Sequence, residues 1–208
     1  MGFFELPPPP EQPEHERPTS PEWWESPRNE LGAPVPLRLV LARTDRVAVA
    51  LVGATAYSTG VALTLAVRSR RRSATEDVDA FYDDPFGFPF GHPLRRRHQS
   101  GELPPETLRF GVQFSDGRKA TTVGGMVPWA SDAEEAPAGP VLHQGGGGGG
   151  NGDYETEFWL WPLPPPGPVT FAVEWPAREI ELTKLEVDAS VLTEASKRSE
   201  ALWREDDS

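Results

Sequence analysis

Four histidines, His15, His92, His98 and His143, are the first residues to weigh for chemistry in a chain that has no cysteine. Without thiols there is no disulfide framework, no zinc site with thiolate ligands and no cysteine nucleophile. No two of the histidines stand at the i,i+4 spacing of a helical metal pair, and all four fall in stretches without a hydrophobic period. His92 and His98 with Asp83 and Asp84 group metal-ligating residue types, but spacing this rich in proline and glycine arises by chance and makes no metal motif. A Gly-x-Ser-x-Gly elbow is absent, and scattered serines, histidines and aspartates do not define a triad. The six glycines from Gly145 to Gly150 are not followed by Lys-Ser or Lys-Thr and lead into a strand pattern, whereas a phosphate-binding loop requires a helix there. The expectation is a protein that is not an enzyme, with no cofactor and no metal.

Binding chemistry is better represented. Arg70, Arg71, Arg72 and Arg95, Arg96, Arg97 flank a segment that offers Phe86, Phe88 and Phe90 between prolines and glycines. Arginine and aromatic side chains together are what protein-binding hot spots favour. The competing reading pairs these arginines with the acidic ends of the same chain and uses the phenylalanines to cap an open sheet edge. Trp23 and Trp24 are a second candidate, since two adjacent indoles in water are costly: either they fold back onto the domain or they dock another protein. Trp159, Trp161 and Trp175 lie on adjacent strands, where they pack a core or present a carbohydrate platform.

Charge narrows the partners. The formal net charge is -12, with residues 1–35 and 151–208 acidic and residues 36–150 close to balance. That distribution disfavours nucleic acid and anionic membrane. The start, Met-Gly-Phe-Phe-Glu-Leu-Pro-Pro, lacks a basic n-region and an apolar h-region, so a cytoplasmic location is expected. An unidentified protein is the expected partner, and the oligomeric state is open.

The elements that must position these residues are strands. With 24 prolines and 20 glycines, a helix-rich protein is improbable. Period-2 patterns mark eight strands, at 36–43, 46–52, 61–68, 107–115, 118–123, 154–161, 168–175 and 180–187. Gly53 to Gly60 reads as a turn, and Ser115-Asp116-Gly117-Arg118 is the clearest hairpin turn. Ile180 and Leu182 have the opposite parity to Leu185 and Val187, which calls for a β-bulge near Thr183 or Lys184. Asp188 is placed to cap a helix whose apolar side carries Val191, Leu192, Ala195, Ser199 and Leu202. Residues 47–67 are uncharged and followed by arginines, as a membrane span would be, but their strict alternation and central glycines favour strands.

Phe171-Ala-Val-Glu-Trp-Pro176, preceded by Pro162-Leu-Pro-Pro-Pro-Gly-Pro168 and followed by a short amphipathic stretch closing on Leu202-Trp203, resembles the end of certain uncharacterised actinobacterial proteins. The resemblance covers about a quarter of the chain and implies a fold but no activity. The reading is therefore an all-β protein: an antiparallel β-sandwich, Ig-like or related, with one C-terminal helix and a disordered N-terminal arm. A flattened barrel is the alternative. The arm is assigned to residues 1–34 and the domain to 35–203. Long insertions fall at 69–106 and 124–153, the second containing the glycine tract as a linker-like loop, and 204–208 form an acidic tail. The function expected is a cytoplasmic protein-interaction sandwich. A small-ligand or carbohydrate-binding module and a membrane-anchored protein are the alternatives.

Overall fold

Alternating apolar residues put one face of each strand toward a common core, and the computed structural model shows two antiparallel sheets that share one. It describes residues 20–70, 103–123, 136–150 and 153–203. In chain order these form β1 (Glu30–Leu31), β2 (Ala33–Val35), β3 (Leu39–Arg43), β4 (Val47–Ala56), β5 (Val61–Ser69), β6 (Arg109–Gln113) and β7 (Lys119–Thr121). There follow β8 (Val141–Gly150), β9 (Asp153–Trp161), β10 (Pro168–Trp175), β11 (Ile180–Asp188), the helix α1 (Ser190–Ser196) and β12 (Glu200–Ala201). The larger sheet runs β2-β4-β5-β9-β8, with β3 also paired to β4; the smaller runs β11-β10-β6-β7. Strands β2 and β3 lie end to end along β4, β2 against Ala54–Ala56 and β3 against Ala48–Leu51. A separate ribbon pairs β1 with β12.

Phe158 of β9 packs on Phe110 of β6 at 5.2 Å between ring centroids, and Phe110 stacks parallel to Phe171 of β10 at 6.5 Å. All three are fully buried together with Leu51, Leu63, Leu65 and Val169, so both sheets contribute to one apolar cluster. Each such side chain contributes about 1.5–3 kcal/mol by leaving water. Leu192 and Ala195 of α1 are buried in the same cluster, where the helix packs beside β2 and β4. Asp188 accepts a hydrogen bond from the Ser190 N–H at 2.8 Å. That bond holds its carboxyl below the usual carboxylate range, but Asp188 is not the cap expected from sequence: the N-cap is Ala189, which has no side chain to cap with.

Twelve strands stand among the described residues where side-chain alternation marks eight. The differences have local causes. β4 continues through Gly53 to Ala56 because Val52 is an extra residue between the Leu51–Leu65 and Gly53–Thr64 pairs. The buried set therefore switches from Val47, Val49 and Leu51 to Ala54 and Ala56, and the turn shrinks to residues 57–60. The bulge expected near Thr183 falls one to two residues earlier, between the Trp175–Ile180 and Val173–Thr183 pairs, and leaves Leu182 exposed.

Two assignments need correction. Residues 20–34, expected as part of a disordered arm, carry β1 and β2 and bury Trp23, Ala33 and, next in line, Val35; residues 1–19 lie outside the described residues. The helix stops at Ser196, so Leu202 is not on it: the Leu202 N–H donates to Asn29 O at 2.7 Å and its side chain is 49% exposed. Residues 47–67 form β4, a turn and most of β5. Among the described residues no helix is long and apolar enough to cross a membrane.

Candidate functional site

The larger sheet ends in β8, and among the described residues no strand pairs with β8 on the side away from β9. Its first four residues, Val141-Leu-His-Gln144, carry side chains; the remaining six are glycine. The linker-like loop expected at Gly145–Gly150 is thus corrected to an edge strand inside the 124–153 insertion. Gly147 pairs with Thr156, Gly148 with Glu155, Gly149 with Tyr154 and Gly150 with Asp153. The two residues between the last pair are Asn151-Gly152, the dipeptide most favoured for a two-residue hairpin connection.

The side-chain-bearing half is anchored by the N-terminal segment. Trp159 of β9 and His143 of β8 are cross-strand partners. Residues 20–25 lie over them: the Trp159 indole N–H donates to Glu22 O at 2.9 Å, and Trp24 sits on the His143 ring at 3.9 Å. Trp23 meets Trp24 edge to face at 5.7 Å and is 4% exposed, while Tyr57 closes on Trp159 at 5.7 Å. Burial pushes the His143 imidazole below its ordinary pKa, with the Glu25 carboxylate pulling weakly the other way. At neutral pH Trp24 therefore covers a neutral ring.

The glycine half is bare, and steric fit explains only part of it. A Cβ on Gly147 would lie 2.8 Å from Thr156 Oγ1 and 2.9 Å from Tyr154 Oη, and one on Gly149 would strike the Asp153 carbonyl and the Tyr154 backbone. Thr156 is itself buried, and its hydroxyl donates to Gly146 O at 3.4 Å. On Gly146 and Gly148 a Cβ would meet nothing within 4 Å, and on Gly145 only ordinary contacts with Glu157. Each glycine costs about 0.5–1 kcal/mol in a strand relative to alanine, so three of the six weaken the strand without any packing need. Proteins usually guard a sheet edge with lysine, proline or a bulge. β8 has one bulge, between Gln144 and Gly147, and neither lysine nor proline. Gly145 to Gly149 are all exposed.

Of the residues singled out by sequence, Trp23 is a buried anchor and Trp24 a half-buried cover on His143. The fold-back reading fits both. Arg70 is exposed just past β5, its N–H donating to Arg46 O at 2.7 Å. Arg71, Arg72, Phe86, Phe88, Phe90, Arg95, Arg96 and Arg97 lie outside the described residues, as do His15, His92 and His98. The structure therefore does not bring Arg70 together with Trp23 and Trp24. Trp159 and Trp175 are buried, the Trp175 indole N–H donating to Glu106 O at 2.8 Å, and Trp161 is half-buried, so Trp159 and Trp175 offer no ring face to a sugar. Among the described residues no group of three or more His, Asp or Glu is gathered to hold a metal. What sequence reasoning missed is β8; the Asn151-Gly152 dipeptide ahead of a clear strand was the available signal. No protein-family model, curated protein or solved structure matches this chain.

Proposed function

We propose that this chain is a non-enzymatic protein-interaction β-sandwich that takes an extended segment of another protein as an added strand along β8. The observation that carries the reading is the glycine edge, guarded by a single bulge: Gly147 to Gly150 pair with β9, and among the described residues no strand pairs with them on the other side. Strand addition draws its affinity from main-chain hydrogen bonds, and pockets for alternate side chains supply the specificity. Unneeded glycines at Gly146 and Gly148 weaken the fold, a cost that strand addition would offset on binding. The anchored half of β8, held by Trp24 over His143, fixes where the free edge begins.

The test is to select extended peptides from a random library on the immobilised domain and to locate the bound peptide by interproton contacts. Main-chain contacts between peptide and Gly145–Gly149 are expected. Peptides that contact other strands and leave these glycines untouched overturn the reading.

A further inference from the structure

We infer that the segment added at β8 is a basic strand, with Arg or Lys at every second position to meet the carboxylates of β9 across the glycines. The inference rests on the strand-addition reading and deepens it. On the outer face of the larger sheet, Asp153, Glu155 and Glu157 follow one another along β9 at alternate positions. Asp153 accepts the Ser69 N–H at 3.2 Å and Glu155 pairs with Arg68. These contacts hold one oxygen each of Asp153 and Glu155 toward the end of β5. Glu157 points the other way: a Cβ on Gly145 would lie 3.8 Å from its Oε1. Its carboxylate thus hangs over the glycine strand toward the free edge.

Neighbouring strands are about 4.8 Å apart, so an added strand would lie about 10 Å from β9. On an ordinary edge strand, intervening side chains fill that gap. Here Gly146 and Gly148 leave open space, and the apolar stem of Arg or Lys can lie along bare backbone while its head reaches a carboxylate. Side chains alternate between faces, so only every second residue of the partner gains. The acidic balance of the chain, -12 overall, favours the same sign of partner at long range.

The experiment measures binding of labelled peptides of alternating Thr-Arg, alternating Thr-Gln, and blocked Thr-Thr-Arg-Arg with the same charge as the first, to the full chain at low and at raised salt. The alternating Arg peptide should bind about tenfold tighter than the Gln peptide at low salt, with the gap narrowing as salt screens it. The blocked peptide should lose most of that advantage. Glu157→Gln should reduce the preference, and Glu155→Gln with Glu157→Gln should abolish it, while Glu186→Gln on β11 of the other sheet should leave it intact. Equal binding of the Arg and Gln peptides, or a preference that survives both glutamate changes, overturns the basic-partner inference and leaves strand addition standing. Failure of all three peptides to bind overturns both. Circular dichroism and a thermal melt of each variant check that the fold is retained.

Discussion

Alanine at Gly147 and alanine at Gly148 add the same methyl group to adjacent residues of β8, and the structure gives them opposite signs. At Gly148 the new Cβ meets nothing within 4 Å. The substitution should then stabilise by about 0.4–1 kcal/mol, chiefly because the unfolded chain has fewer conformations to lose. At Gly147 the same entropic gain operates, but the Cβ would stand 2.8–2.9 Å from Thr156 and Tyr154 side-chain atoms. Thr156 is buried on the face that carries Phe158, so it has little room to give, and overpacking of this kind costs about 1–3 kcal/mol. The net expectation is a loss of roughly 1–2 kcal/mol. Urea unfolding followed by tryptophan fluorescence reads both variants against the parent, and the comparison between neighbours removes most systematic error. If residues 145–150 were a solvated loop, the two alanines would behave alike. Equal stability changes at Gly147 and Gly148 would therefore refute the placement of these glycines in the ladder with β9.

The remaining predictions bear on the helix, the histidine and the N-terminal segment. Leu192→Ala, emptying a fully buried position on α1, should cost about 2–5 kcal/mol, whereas Leu202→Asp on the exposed ribbon should change stability by no more than about 0.5 kcal/mol; thermal melts with the reverse order would put Leu202 back in the core. His143 has a folded-state pKa below its unfolded one, so the unfolded chain takes up the proton first: the contribution is present above about pH 6.5 and is lost as pH falls through the folded value. His143→Gln should flatten the stability profile in that window, and an unchanged slope would contradict the burial of the ring. Deleting residues 1–28 should remove Trp23 and Trp24 from the sheet and expose Trp159, seen as a red-shifted emission and a lower melting temperature. A truncated chain as stable as the parent would show that the segment only rests on the surface.

Much of the sandwich is legible in sequence because its strands alternate. Val47, Val49 and Leu51, then Val61, Leu63, Leu65 and Val67, point one way in the pattern and one way in the fold. Where the pattern fails, a specific physical cause is present. The extra residue Val52 reverses parity inside one continuous strand, so Gly53 to Ala56 looks like the start of a turn. Leu202 falls on the helical stripe, but the chain leaves the helix after Ser196 and returns to pair with β1, a non-local contact that no local period encodes. Trp23 and Trp24 are set in a proline- and glutamate-rich composition that reads as unfolded, and only a surface formed by β8 and β9 makes their burial favourable. The candidate site was the least legible part. Strand patterns are patterns of side chains, and a run of six glycines has none; its pairing is dictated by β9 and by the shape of Thr156 and Tyr154.

Amide hydrogen exchange resolved to single residues across Gly147 to Gly150, first on the free chain and then with a selected extended peptide, shows whether β8 is a paired strand with an open edge. In the free chain exchange should alternate, with amides bonded to β9 exchanging slowly and their neighbours on the open edge exchanging fast. On adding peptide, the fast amides should become slow while those facing β9 change little. Uniformly fast exchange through the tract, or peptide binding that leaves the outward amides as fast as before, would contradict strand addition at β8.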